Sequence, residues 1–162
     1  MQTSKQLAER FREVIFDGLW IANTNYKDQL SNVNRDEAVK KIGNFNSIAA
    51  LTFHINYYIE GILLFFETGK LTIKDQFSFD LPKLVTDADW EQVKNSLWLN
   101  AKKLATQIEQ MTNDQLKDIF VLEKYGTYHR NIEGMIEHCY YHLGQIVLIK
   151  KMIQNPSNYQ TQ

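Results

Sequence analysis

Hydrophobic residues recur along most of the chain every three to four positions, the spacing of an amphipathic α-helix. No segment shows sustained strand alternation bounded by turn residues, so the predicted class is all-α. The first periodic segment begins after Thr3 or Ser4 and fades near Ser31, which predicts a first helix. Its apolar positions are Leu7, Phe11, Val14, Ile15, Gly18, Leu19 and Ala22.

A second, central helix is predicted to begin after Asn34, which can serve as N-cap to the acidic residues that follow. It is predicted to run to Thr68, with Gly69 as its C-cap. Residues 70–85 alternate weakly and contain Pro82, which favours an extended crossover lying on the other helices.

The third helix is predicted to start at residue 86 or 87, where acidic side chains favour a helix N-terminus, and to end around Met111. A short helix over 113–119 follows as a weaker prediction. The last long helix opens at Asn131 or just before it and runs to about Gln154. Four long helices with one extended connection, between the second and the third, predict a single four-helix bundle domain over residues 1–162.

The balance of charge excludes the partners that a basic surface would attract. The chain has 18 Lys and Arg against 19 Asp and Glu, a net charge of -1, so it offers no footprint for nucleic acid and no polybasic membrane anchor. A single cysteine, Cys139, forbids an intrachain disulfide and suggests a reducing compartment. The N-terminus lacks the pattern of a signal peptide, so a cytoplasmic location is expected.

One stretch, residues 42–59, carries no charged side chain and approaches the length of a membrane span. It contains several polar residues that would be costly in lipid, among them Asn44, Asn46, His54 and Asn56. A helix buried in protein, where these groups can find partners, is the better interpretation.

Two of the four histidines, His138 and His142, lie four residues apart in the strongest helical segment, so both rings fall on one helix face. On a helical wheel centred on Cys139, His142 falls inside the apolar arc and His138 at its rim. His54 shares a face of the central helix with small and apolar residues. Three inward imidazoles on two helices would leave a bound ion with open coordination positions, as in catalytic metal sites.

Other interpretations of these residues stay open at this point. An inward histidine is more often a hydrogen-bonded core residue, and His-x-x-x-His pairs also arise by chance. No acidic residue stands three positions before any histidine, which excludes the di-iron pattern. His129 is expected at the surface and outside the site, and Cys139 is expected to be a buried, inert thiol.

The segments Leu51-Thr-Phe-His-Ile55 and Gly126-Thr-Tyr-His-Arg-Asn-Ile-Glu-Gly-Met-Ile-Glu-His-Cys-Tyr-Tyr-His-Leu-Gly-Gln-Ile146 resemble the DinB/YfiT-like superfamily of metalloenzymes. The resemblance covers most of the chain and is most specific in His-x-x-x-His-x-Gly-Gln-Ile. It implies an up-down-down-up four-helix bundle that is often dimeric. It also implies that His54, His138 and His142 bind a divalent metal ion, usually zinc or nickel.

Some members of this superfamily are thiol-dependent S-transferases, so the resemblance implies a low-molecular-weight thiol and an electrophilic small molecule as substrates. The ion would lower the pKa of a bound water or hold the substrate thiol as thiolate. The alternative is a dimeric bundle that binds a metal or ligand without catalysis, in a stress-related role, since the fold does not fix the chemistry.

A second apolar line on the last helix, formed by Tyr141, Leu148 and Met152 near Gly134 and Gly144, lies opposite the core arc. A monomer would leave it exposed. Two explanations fit equally well: a homodimer packed through this face and part of the first helix, or cover by the crossover.

Overall fold

The structure is a computed structural model that describes residues 2–156. Within that range it is all-helical and contains no β-strand, which confirms the predicted class. Six α-helices pack together, the first of them continued by a π-helical turn over Glu13–Asp17. They are α1 Ser4–Arg12, α2 Tyr26–Ser31, α3 Arg35–Val39, α4 Ile48–Thr68, α5 Asp87–Gln110 and α6 Tyr128–Gln154.

The first predicted helix is correct at its start and wrong in its second half. Thr3 forms a capping box with Gln6, but the helix stops at Gly18, whose backbone is extended. A Cβ at this position would lie 1.6 Å from Cγ of Glu13, so only glycine fits the turn. Leu19, a residue of the predicted apolar face, is therefore 57% exposed, and the neighbouring Trp20 is 87% exposed.

The predicted central helix is two helices, α3 and α4, separated by residues 40–47. Asn34 caps α3 as predicted, in a capping box with Glu37. Ser47 provides a second N-cap by accepting the Ala50 N–H at 3.2 Å, so a new helix starts there. The prediction of one continuous helix rested on hydrophobic periodicity, which does not reveal this break.

The prediction that residues 70–85 form a crossover without a long helix is confirmed. α4 ends at Gly69, in the left-handed region at φ +70°, as its predicted C-cap role requires. Residues 70–85 contain only one 3-10 turn, Asp75–Phe77. Tyr57 of α4 fastens this segment, because its hydroxyl donates to the Lys74 carbonyl oxygen at 3.0 Å and accepts the Lys74 N–H at 2.9 Å.

The last two helices begin directly after their N-cap residues, Thr86 and Thr127. α5 begins after Thr86, in a capping box with Asp89. α6 begins at Tyr128, three residues before Asn131, because Thr127 accepts the Arg130 N–H and sets an earlier start. The short helix predicted over 113–119 is reduced to a 3-10 turn at Gln115–Lys117.

α5 packs against both α4 and α1. It runs parallel to α4, since Phe53 and Val93 line one cavity near the start of both helices while Leu64 and Lys103 line another further along. The segment from α1 through its π-helical turn runs antiparallel to α5. There Ser4 Oγ donates to the Glu109 carbonyl oxygen at 3.4 Å, and the rings of Phe16 and Trp98 lie 6.1 Å apart.

α4 is long and apolar enough to span a membrane by length and composition, yet 56% of its most apolar 18-residue window is buried inside the fold. The buried core helices of globular proteins can have the same length and apolar composition. Two buried polar side chains of α4 have partners: Thr52 Oγ1 donates to the Ile48 carbonyl oxygen, and Asn56 Oδ1 accepts from Asn100 Nδ2 at 3.1 Å. The burial of α4 agrees with its interpretation as a core helix.

The outer face of α6 remains uncovered within residues 2–156. Tyr141 is 64% exposed and Leu148 50% exposed. The crossover lies on α4 instead, so the suggestion that it covers this face is wrong. Association of two chains through this face stays a prediction.

Two glycines within helices give opposite predictions for stability. At Gly134 of α6 no described residue outside the neighbouring helix backbone lies within 4 Å of the position that a Cβ would take. Gly134→Ala should therefore raise the free energy of unfolding by about 0.5–1 kcal/mol through helix propensity. At Gly61 of α4 an added Cβ would lie 2.3 Å from Cγ2 of Ile73, where overpacking costs about 1–3 kcal/mol. Gly61→Ala should therefore destabilise.

Urea unfolding of the two variants beside the unchanged chain measures both effects. If both variants changed the free energy of unfolding by the same amount and in the same direction, Ile73 would not be closely packed against α4 at Gly61.

Candidate metal centre

The three histidines singled out from the sequence meet at the seam between α4 and α6. These helices run antiparallel: the rings of Phe65 and Tyr128 lie 6.0 Å apart at one end, and His54 faces His138 further along. His54 stands on the second turn of α4, and His138 and His142 stand on successive turns in the middle of α6. Antiparallel packing is what brings residues 84 positions apart into contact.

Their nitrogen atoms converge. His138 Nε2 lies 3.2 Å from His54 Nε2 and 2.8 Å from His142 Nε2, and the candidate ligand atoms all lie within 4.8 Å of one another. Three nitrogens bound to one zinc ion at 2.0–2.1 Å in tetrahedral geometry would be roughly 3.3 Å apart. The two distances to His138 lie near this value, and the whole set, within 4.8 Å, is close enough for one ion to draw the rings together.

The burial of the three histidines agrees with the positions predicted for them on the helix faces. His54 and His142 are each only 6% exposed, and His138 is half-buried at the rim, as predicted. Cys139 is fully buried on the core side of α6. Burial raises the pKa of its thiol far above the ordinary range, so it remains protonated. The prediction of an inert thiol agrees with this placement.

Gln145 sets the protonation pattern of His142. Its side-chain oxygen Oε1 lies 2.7 Å from His142 Nδ1 and can only accept, so the proton sits on Nδ1 and Nε2 presents a lone pair to the cluster. His54 Nδ1 is buried and has no hydrogen-bond partner of good geometry among the described residues. The nearby Ser78 backbone acts on it only weakly, opposing the lowering of the His54 pKa.

All three imidazoles are held in the neutral form. Burial, followed by the proximity of His142, lowers the pKa of His54 to about 4. Burial, followed by the other two rings, lowers the pKa of His138 to about 4. Burial also lowers the pKa of His142, against the opposing effect of Gln145. Neutral imidazole is the form that binds metal ions.

Aromatic side chains enclose the cluster. Phe79 of the crossover stacks on His54 with ring centroids 4.0 Å apart and an interplanar angle of 13°. Tyr58 meets His54 and His138 edge-on, and its hydroxyl donates to Asp75 Oδ1 at 2.8 Å. The crossover thus closes one side of the site and is fastened there by a tyrosine of α4.

Two cavities border the cluster on different sides. A cleft of about 540 Å³ has His138, Tyr58 and Gly134 in its wall. A second cavity, of about 370 Å³, is lined by Gln145 together with Leu51 and Leu148. His138, the most exposed of the three histidines, opens onto the larger one.

His129 does not join the cluster, as predicted, although it is not a surface residue. Its side chain is only 14% exposed, and Nδ1 lies 3.3 Å from Glu133 Oε2. Sequence reasoning missed the contributions of Gln145 and Phe79. Gln145 could have been found, because a residue three positions after His142 on a helix lies beside it. Phe79 gives no local signal, since its contact with His54 depends on the path of the crossover.

Comparisons with family models, with curated proteins and with solved structures found no match to this chain.

Gln145→Ala should weaken zinc binding about 10- to 100-fold, because loss of the acceptor frees His142 to place its proton on either nitrogen. Gln145→Glu keeps an acceptor at this position and should preserve most of the affinity. Competition with a chromophoric chelator measures the dissociation constants. Gln154→Ala on the same helix is the control, since Gln154 bonds Glu37 away from the cluster. Equal affinity of Gln145→Ala and Gln154→Ala would remove Gln145 from the site.

Proposed function

We propose that this chain is a divalent-metal-dependent enzyme of the DinB/YfiT-like type, which transfers a low-molecular-weight thiol to an electrophilic small molecule. His54, His138 and His142 are the proposed ligands of one zinc or nickel ion. The observation that carries the proposal is the convergence of the three Nε2 atoms, with the His142 tautomer held by Gln145.

The donor set supports an open site. Three neutral imidazoles suit zinc and nickel, and three protein ligands leave further coordination positions for substrate. A divalent ion bound there would favour the thiolate form of a substrate thiol, which is the nucleophilic form. The edge-on Tyr58 and the stacked Phe79 would exclude water from one side of the reacting sulfur.

The thiol has to come from outside the chain. Cys139 is the only cysteine, its side chain is fully buried, and its pKa lies far above neutrality. It follows His138 in sequence but sits on the core side of α6, where its sulfur is shielded from solvent. A nucleophilic sulfur at the cluster would therefore belong to a substrate.

The packing of the long helices supports the bundle that the resemblance implies. In that proposal α1, α4, α5 and α6 are its four helices. α1 is antiparallel to α5, α5 is parallel to α4, and α4 is antiparallel to α6. These pairwise directions are those of an up-down-down-up order. The exposed face around Tyr141 and Leu148 would serve as the contact of the expected homodimer.

Elemental analysis of untagged protein by mass spectrometry tests the metal site. We expect about one divalent ion per chain. The ion should be lost in His54→Ala and in His142→Ala, because two imidazoles hold it poorly. His129→Ala removes a partly buried histidine outside the cluster and should keep the ion. Equal metal content in all four proteins, or none in any, would contradict the site.

Thiol transfer is tested with the zinc- or nickel-loaded protein, glutathione or cysteine, and 1-chloro-2,4-dinitrobenzene. The thiol sulfur bonds to the ring carbon, chloride leaves and the thiol proton passes to solvent. Turnover should be absent in His54→Ala and unchanged in His129→Ala. If metal binds but a broad panel of thiols and electrophiles shows no turnover above the uncatalysed rate, the chain is a non-catalytic metal-binding protein instead.

A further inference from the structure

The cleft beside His138 has a composition that nothing in the metal cluster requires. It lies between α4, the crossover, the 120–125 segment and the N-terminal half of α6. At about 540 Å³ it is within the usual size range of small-molecule sites. Its depth is lined by apolar side chains, namely Ile62, Leu71, Ile73, Phe120 and Met135.

Two cationic residues line the cleft where the 120–125 segment meets the first turn of α6. They are Lys124 and Arg130, and Arg130 shares its charge with Glu137 at 3.1 Å on the exposed rim. The one carboxylate in the lining, Asp75, accepts the Tyr58 hydroxyl and lies toward the histidines. The two ends of the cleft therefore differ: cations at one, His138 at the other.

The distance between these ends sets the length of a fitting molecule. The Cα atoms of Arg130 and His138 are eight residues apart on one helix, about 12 Å along its axis, and this is an upper limit because the Arg130 guanidinium reaches toward Glu137. A saturated chain of roughly ten bonded atoms spans that distance. Gly134 lies midway, and no residue of 2–156 outside its own stretch of helix lies within 4 Å of where its Cβ would be, so the floor is open at this point.

We propose that this cleft binds an elongated, apolar small molecule whose anionic end pairs with Lys124 and Arg130 and whose other end reaches His138. As a statement about the electrophilic substrate it rests on the proposed function. The proposal that the cleft binds such a molecule does not depend on the proposed function. None of the apolar lining residues and neither of the two cations is a proposed metal ligand.

Isothermal titration calorimetry with octanoate tests the site, on both zinc-loaded and metal-depleted protein. Octanoate has a carboxylate on an apolar chain of the required length. It should bind in a 1:1 ratio to both forms, and octylammonium should bind at least tenfold more weakly because its charge has the wrong sign.

Matched variants locate the binding. Gly134→Leu fills the floor of the cleft and should abolish octanoate binding. Gly144→Leu is its control, since Gly144 lies on the same helix in open space outside the cleft. Lys124→Gln combined with Arg130→Gln should weaken octanoate binding about tenfold, the effect of one charge-assisted contact. Circular dichroism and thermal midpoints check that each variant is folded.

The outcomes separate this inference from the metal proposal. Octanoate binding that survives Gly134→Leu, or its absence from both protein forms, overturns the inference and leaves the metal site intact. Binding only to zinc-loaded protein, indifferent to Lys124 and Arg130, overturns it too, since the carboxylate would then be ligating the ion. A chain that binds octanoate as expected but holds no metal keeps the cleft and loses the proposed enzyme.

Discussion

Three imidazoles buried with their nitrogens facing each other form the most constrained interaction in this structure. Nε2 of His138 is within 3.2 Å of Nε2 on both His54 and His142, and burial keeps all three rings neutral. Two lone pairs at such distances repel unless a proton or a cation lies between them. A proton shared between neighbouring rings or one ion held by all three would relieve this repulsion, and the three rings are close enough to hold a metal ion.

Several other features of the fold serve to hold that arrangement. The antiparallel seam of α4 and α6 places the rings, and Gln145 fixes the orientation of His142 through a single 2.7 Å hydrogen bond. On the other side Tyr57 fastens Lys74 to α4 through two hydrogen bonds, which positions the crossover so that Phe79 covers His54. An irregular segment is thereby made into a wall of the site. Loops so tied are usual where a rigid scaffold carries function.

The sequence allowed the three residues that meet in the cluster to be predicted better than the helix boundaries. His138 and His142 obey the i, i+4 rule, which depends only on helix geometry, and His54 lies on the apolar face of its helix. Helix caps depend on contacts over three or four residues, and the caps Thr86 and Gly69 were also predicted correctly. These signals are local, so the prediction needed no knowledge of the tertiary fold.

The errors arose where one residue overrides a longer pattern. Gly18 occupies an apolar position in the first periodic segment, so the pattern continued through it, although its backbone turns there and leaves Trp20 in solvent. Ser47 lies in an uncharged run that favours continuous helix, yet its hydroxyl caps a new one. Phe79 shows the harder limit, because its stacking on His54 depends on the path of the whole crossover between two parallel helices, α4 and α5.

The asymmetry of the surroundings bears on how such a site would be used. Gln145 and Phe79 occupy the sides of His142 and His54, whereas His138 is left half-buried with the larger cleft in front of it. The cluster is therefore most open on the side of His138, along α6, and less so beside Gln145. Cys139, one residue further along the helix, points the opposite way into the core. The helix thus presents an imidazole ring to the cleft and keeps its own sulfur out of it.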